Sequence, residues 1–266
     1  MKVQGKVIVV TGAGSGMGRE LTLELARRGA KVAAVDMRAE TLKETQKLAE
    51  AIGAKVSTHL FDVSDLVAVS ALPASVKKEL GEVDALINNA GIIQPFVKVN
   101  ELTMEQAKKV IDVNFYGPLA LVKAFLPGLL KRNEAHILNV SSMGAYAPVP
   151  GQSVYGASKA AIKLLTEGLH SELMDTKVGV TIVFPGAIAT NIAANSGMTM
   201  DAGDAESSQF KTTPAPLAAK LMVDAIESNT ARLCIGSDAK LMDRLSRLNP
   251  LFAAKLIYNQ MKSLLK

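Results

Sequence analysis

Tyr155 and Lys159 stand four positions apart in the stretch "VYGASKAAI", residues 154–162. At i and i+4 of a helix the two share a face, so the ammonium can lie close to the phenol. A phenol with an ordinary pKa of about 10 exchanges protons poorly at neutral pH, and an adjacent cation lowers it toward the working range. Ser142 ends the segment "HILNVSS", thirteen residues before the tyrosine. That segment reads as a strand whose carboxyl end should point into the same crevice. A Tyr and a Lys alone would equally suit a solvated rim. Convergence with the serine hydroxyl favours acid/base chemistry over a solvated rim.

A second constellation lies near the start. "TGAGSGMG", residues 11–18, follows a strand-like run and opens a helical pattern. Gly12 permits the tight turn, Gly16 lets the backbone approach a phosphate, and Gly18 lets helix and strand pack closely, with Ser15 and Met17 completing the loop. The helix N-terminus then offers amide donors and a positive dipole end to a pyrophosphate. Asp36, twenty-four residues after Gly12, is placed to accept from the adenosine ribose hydroxyls and to repel a 2′-phosphate. NAD is therefore favoured over NADP, with Arg38 the alternative contact for a 2′-phosphate.

These groups need a scaffold, and the pattern supplies one. Strand-like runs at Lys6–Val10, Lys31–Asp36, Lys55–Asp62, Asp84–Asn88, His136–Val140, Val180–Phe184 and Arg232–Ile235 alternate with helical segments. Such alternation predicts βαβ units feeding a parallel sheet. Continuous apolar runs such as "VIVV" and "VAAV" suit strands covered on both faces. The expected fold is one α/β, doubly wound domain with a seven-stranded parallel sheet over residues 1–239, followed by a helical tail over 240–266. Residues 187–214 have weak periodicity after a strand's carboxyl end and are expected to form a lid.

The chain has 266 residues, nearly half of them apolar, enough to bury a large core and to exclude general disorder. Its single cysteine, Cys234, excludes an internal disulfide framework and fits a reducing, cytoplasmic compartment. The start lacks a signal-peptide pattern, and the strongest membrane-spanning suspect, residues 115–130, is short and broken by Gly117, Pro118, Lys123 and Pro127. A soluble protein is expected. His59, His136 and His170 have no mutual ligand spacing, so no metal site is expected. Met198 and Met200 could soften a lid, though methionines there are commonly packing.

The net charge of +5 falls entirely within Lys240–Lys266, where six basic residues meet Asp243 alone. No basic stripe crosses the main domain, and nucleic-acid binding is not expected. In the tail, Leu241, Leu245 and Leu248 before Pro250, then Phe252, Leu256 and Ile257, suit a helical pair capping the substrate side. Basic amphipathic helices also partition to acidic membrane surfaces. Capping is favoured.

Taken with "NNAG" at 88–91, Asn114, "YGASK" at 155–159 and "PGAIAT" at 185–190, the glycine loop and Ser142 make the chain resemble the short-chain dehydrogenase/reductase family over about residues 5–236. The resemblance implies a Rossmann-type domain in which Tyr155 is the general acid/base. Ser142 would orient the substrate oxygen, and Lys159 would serve as both the tyrosine's cation and a ribose ligand. It implies that Asn114 holds a water linking the lysine to solvent and that Asp62 and Val63 contact adenine. Asn89, Ala90 and Gly91 would line the cofactor, and Pro185, Gly186, Ile188 and Thr190 would close on the nicotinamide. The family's common ending, an acidic residue and two glycines after the last strand, is absent here. That puts the usual four-subunit packing in doubt; a homodimer through the helices around Asn114 and Tyr155 is expected, with a tetramer the alternative.

The expected activity is NAD(P)-dependent interconversion of a secondary alcohol and a ketone on a largely apolar small molecule, lipid-, steroid- or fatty-acyl-like. Ala187, Ile188, Ile192, Met198 and Pro148 suggest the apolar pocket. The alternative is a catalytically silent dinucleotide sensor or scaffold, which would not need Ser142, Tyr155 and Lys159 together.

Overall fold

The computed structural model describes residues 1–190, 192–196 and 212–265. The first half alternates β1 (Val7–Thr11), α1 (Gly16–Arg27), β2 (Lys31–Asp36), α2 (Ala39–Glu50), β3 (Val56–Leu60) and α3 (Leu66–Leu80). Then come β4 (Ala85–Asn88), α4 (Met104–Ile111), α5 (Gly117–Leu129), β5 (Ala135–Val140), α6 (Ser153–Glu172) and β6 (Val178–Pro185). After β6 follow β7 (Ile188–Ala189), α7 (Ile192–Asn195), β8 (Thr213–Pro214), α8 (Ala215–Glu227) and β9 (Arg232–Ile235). The described chain finishes with α9 (Ser237–Leu248) and α10 (Pro250–Met261).

Seven strands pair in the order β3-β2-β1-β4-β5-β6-β9, every pair parallel. The chain walks outward from β1 to β3, returns to place β4 on the other side of β1, and walks outward again. That reversal opens a crevice at the carboxyl ends of β1 and β4, the usual ligand site of such sheets. One sheet face packs Val10, Ala34 and Val183 against Leu21, Leu25, Met222 and Ile226 of α1 and α8. The other packs Val9, Leu86 and Ile137 against Val76, Leu121, Phe125 and Leu169 of α3, α5 and α6. Burial on both faces explains why the strands read as unbroken apolar runs.

Strand ends depart from expectation for local reasons. β3 stops at Leu60 rather than Asp62, because its sole partner β2 ends at Asp36, which lies opposite Leu60. β6 extends from Val178 to Pro185 since β5 and β9 offer it partners along both edges. Between α4 and α5, residues Asp112–Tyr116 form a π-helical turn. Pro118 has no N–H to give the Asn114 carbonyl four residues earlier, and Gly117 N–H goes to the Asp112 carbonyl instead. The run Met104–Leu129 is long and apolar enough to cross a membrane, yet Val113, Leu121, Val122, Phe125 and Leu129 belong to the core.

Of the expected lid, 187–190, 192–196 and 212–214 are described, with Ile188–Ala189 pairing with Thr213–Pro214. Met198 and Met200 lie outside the described residues. The tail is helical, and its buried stripe is the expected one only in part: Leu245, Leu256 and Ile257 pack inward, whereas Leu241, Leu248 and Phe252 do not. Leu248 is 84% and Phe252 53% exposed, while Met242, Ala253 and Ile257 form the buried face with Ala147, flanked by Met143, Tyr146, Val149, Leu245 and Leu256. Gly236, at φ 100°, turns the chain from β9 into α9. The turn brings the Ala239–Met242–Leu245 side inward.

Candidate active site

The glycine loop leaves β1 at the crevice. Gly12 has φ 68° and packs so closely that a methyl there would meet Ala90 Cα at 3.0 Å, while one on Gly18 would overlap the Gly12 carbonyl. Only hydrogen fits at either position. Thr11 explains how the loop is held to β4: its Oγ1 accepts from the N–H groups of Asn89 and Ala90, both at 3.0 Å, and its carbonyl accepts from Asn89 Nδ2 at 2.9 Å. Ser15 then stands in extended conformation before α1, whose N-terminus faces the crevice.

A cleft of about 580 Å³ opens over this loop. It brings together Gly12, Ser15, Gly16, Met17 and Gly18 with Asp36 from the end of β2. Asp62 and Val63, after β3, and Asn89, Ala90 and Gly91, after β4, form its other walls, and Thr190 reaches it from across Gly16. Pro185, Gly186 and Ile188 do not line it. Asp238 covers Gly186 and accepts from Ala187 N–H at 2.7 Å, and Ile188 packs on the core.

Asp36 is buried, and its carboxylate accepts from Gly14 N–H at 2.8 Å and Arg38 N–H at 3.0 Å. Arg38 keeps its Nε 3.8 Å from Asp36 Oδ1 and donates from its guanidinium to Ser15 Oγ at 3.2 Å and Asn195 Oδ1 at 2.5 Å, while Asn195 Nδ2 donates to Ser15 Oγ at 2.9 Å. The arginine thereby ties α7 to the glycine loop. An apolar wall, glycines backing a helix N-terminus and a carboxylate at the far end fit a dinucleotide: donors for a pyrophosphate, an acceptor for a ribose diol.

Behind Gly91 lie the groups that could do chemistry. A methyl on Gly91 would sit 3.1 Å from Lys159 Nζ and 3.2 Å from Asn114 Oδ1, so the cleft wall there is one glycine thick. A methyl on Gly144 would lie 3.4 Å from both Ser142 Oγ and Tyr155 Cε1. Hydroxyl and phenol ring thus flank one point. Lys159 Nζ donates to the Val140 carbonyl at 3.1 Å and stands 5.9 Å from the Tyr155 ring centroid.

Electrostatics here differ from expectation. Burial pushes the Tyr155 phenol above its ordinary value, and the facing Ser142 hydroxyl only opposes this. Burial also lowers Lys159 to about 8. A low-dielectric site penalises both charges, so desolvation governs both shifts. At neutral pH the lysine remains mostly protonated and the phenol stays neutral.

Several supports were not apparent from the sequence. The Asn114 side chain accepts from Ile92 N–H and donates to the Ile92 carbonyl, both at 2.9 Å, and donates to Ser158 Oγ at 3.0 Å. Ser158 Oγ passes the link to the Tyr155 carbonyl at 2.7 Å. Both amide hydrogens of Asn114 are therefore engaged, and the residue braces α6 against the loop after β4. Ser141 Oγ donates to the Lys159 carbonyl at 2.7 Å. Gln94, fully buried, accepts at Oε1 from Val154 and Tyr155 N–H and donates to the Gly151 carbonyl. Its position in a loop with no periodic pattern hid it, though "NNAGIIQP" does set a lone amide amid apolar neighbours.

His59 and His136 are held in structural hydrogen bonds, and His170 is exposed on α6. His136 bonds Thr181 Oγ1 at 2.8 Å and burial lowers it to about 3, while His59 bonds Ser57 at 2.9 Å. Among the described residues no His, Cys, Asp and Glu group could hold a metal ion.

Comparison with known proteins agrees with this geometry. A family model described as short chain dehydrogenase matches residues 6–201. The putative oxidoreductase SadH of Mycobacterium tuberculosis is 37% identical over 252 residues, covering 92% of this chain and 91% of the relative. A solved short chain dehydrogenase/reductase from Burkholderia phymatum, in complex with NAD, has TM-score 0.85 at 28% identity and covers 94% of this chain and 98% of its own. Levodione reductase has TM-score 0.82 at 27% identity, over 89% of this chain and 98% of its own. With the family model spanning the glycine loop through the segment after β6, the chain belongs to the short-chain dehydrogenase/reductase family of oxidoreductases.

Proposed function

We propose that this oxidoreductase interconverts a secondary alcohol and a ketone on a largely apolar small molecule, with NAD favoured over NADP. One observation carries the reading: Ser142 and Tyr155 flank a single point, with Lys159 beside the tyrosine and close behind Gly91 of the cleft wall. A nicotinamide dinucleotide bound in the cleft supplies the hydride acceptor or donor. The chain's own residues handle the oxygen and its proton. Ser142 Oγ hydrogen-bonds the substrate oxygen and fixes its position; the Tyr155 hydroxyl gives that oxygen a proton in reduction, and its phenolate takes the alcohol proton in oxidation. Lys159, held by the Val140 carbonyl, places a cation beside the phenol and stabilises it when it is deprotonated.

Gly12, Gly16 and Gly18 would hold the pyrophosphate, and Asp36 the ribose diol. The carboxylate repels a 2′-phosphate, and Arg38 is already engaged by Asp36, Ser15 and Asn195. The relative solved with NAD supports binding of a nicotinamide dinucleotide in this cleft. Met143, Tyr146 and Val149, which follow Ser142 and pack under the tail, support an apolar substrate. The test is a panel of secondary alcohols and ketones with each dinucleotide, followed at the nicotinamide absorbance. Binding of dinucleotide without turnover of any member would overturn the reading in favour of a sensor.

A further inference from the structure

The tail has two faces with different chemistry. Its inner face is packed: Met242, Ala253 and Ile257 are buried against Ala147. At the turn between α9 and α10, by contrast, Arg247, Leu248, Asn249, Pro250, Leu251 and Phe252 are exposed in succession. Leu248 is 84% and Leu251 82% exposed, and Leu241 and Tyr258 carry the apolar surface along both helices. Lys240, Arg244, Lys255 and Lys262 are exposed around it and, among the described residues, none has a salt-bridge partner. Asp243, the tail's one acid, is turned onto Arg232 at 2.6 Å and Arg247 at 3.1 Å.

We propose that this tip docks on an anionic lipid surface, with Leu248, Leu251 and Phe252 inserted among the headgroups and the surrounding cations set on the phosphates. Exposed apolar side chains at the turn, with exposed basic ones along the same two helices, match a membrane interface in both polarity and charge. A second copy is a poorer occupant, because it would oppose two tails that each carry the chain's whole positive excess. Nucleic acid has no use for three exposed apolar side chains at the centre of the contact. Capping and membrane contact are thus compatible, since the inner face performs one and the tip the other. Resting on the oxidoreductase reading above, the docking also names the source of substrate: apolar alcohols or ketones dissolved in the bilayer, delivered beside the Met143–Val149 wall that the inner face covers.

The test uses the full chain and vesicles of phosphatidylcholine with or without phosphatidylserine. Wild type is expected to sediment with the phosphatidylserine vesicles, less so as salt rises, and to stay in solution with phosphatidylcholine alone. The triple variant Leu248→Ser, Leu251→Ser, Phe252→Ser and the double variant Arg244→Glu, Lys255→Glu should each lose about tenfold in binding. Both should melt as wild type does, because the altered side chains are exposed. Wild type that stays in the supernatant, or variants that bind as well as wild type, overturn the proposal. So does a wild-type dimer that the triple variant converts to monomer without any vesicle binding, which gives the tip to a second copy. Vesicle binding requires no turnover, so an inactive protein that sediments would sink the alcohol–ketone reading alone.

Discussion

Gln94 and Tyr155 are joined at 2.9 Å, the side-chain oxygen of the glutamine accepting the tyrosine's backbone N–H while it also accepts that of Val154 at 2.8 Å. A residue sixty-one positions away therefore closes the N-terminus of the helix that carries the phenol. The first N–H groups of a helix have no partner within it. Here a buried amide satisfies two of them and fixes where Tyr155 begins.

Replacing that amide by Gln94→Leu leaves two buried donors without partners, each costing about 1 to 3 kcal/mol. Melting temperature should fall. Turnover should fall further than dinucleotide affinity, because the cleft is built by other elements. Gln94→Glu keeps the acceptor but loses the donor to the Gly151 carbonyl and buries a charge, so it should recover only part of the turnover, and steady-state kinetics with dinucleotide titration separates these effects.

Tyr155→Phe should leave dinucleotide affinity near wild type and lower kcat by roughly a hundred- to ten-thousand-fold, the usual contribution of an acid/base group. Because burial raises the phenol, it stays protonated through neutral pH. Ketone reduction should thus be level there and decline in alkali, whereas alcohol oxidation should rise with pH. Activity of the variant near wild type would remove Tyr155 from the reaction.

Lys159 should cost the fold stability. Burial lowers it from 10.5 to about 8, so between those values the unfolded chain holds a proton that the folded chain has released. Stability therefore rises with pH across that window. Lys159→Met should melt higher than wild type at neutral pH, by an amount equivalent to no more than roughly 3 kcal/mol, while turnover collapses. The advantage should shrink as pH climbs toward 10, and thermal melts across that range decide it.

Asp36→Ala should raise the ratio of NADP to NAD catalytic efficiency, since it removes a ribose acceptor and a charge repelling phosphate. It also frees Gly14 N–H and Arg38 N–H, so affinity for both dinucleotides should weaken. Arg38→Ala should release Asn195 and Ser15 and leave the preference for NAD intact. A wild-type protein that prefers NADP would make Arg38 the determinant.

In the tail, Ile257→Ala should destabilise by about 2 to 5 kcal/mol, as for other buried truncations. Leu251→Ala, at an exposed site, should stay within roughly 0.5 kcal/mol. Deleting residues 240–266 should lower the melting temperature and raise KM for apolar substrates, because Met143, Tyr146 and Val149 lose their cover. Unaltered melting and kinetics in buffer would show that the inner face contributes nothing.

Strand identity was legible in the sequence because apolar runs such as Val7–Val10 and Val32–Val35 have no reason to exist outside a sheet covered on both faces. The glycine loop and the pairing of Tyr155 with Lys159 were legible for a similar reason, as local spacing alone sets which groups share a turn or a helix face. Three other features were decided only by the tertiary structure. The sequence shows a cation next to a phenol but not the burial that raises one and lowers the other. In the tail, the stripes Leu241–Leu245–Leu248 and Ala239–Met242–Leu245 are both helical faces, and the packing of Ala147 and the turn at Gly236 choose the second. Gln94, Ser158 and Asp238 gain their partners across long stretches of chain. A single polar side chain carries no periodic signal, and its role exists only once folding has brought the distant backbone to it.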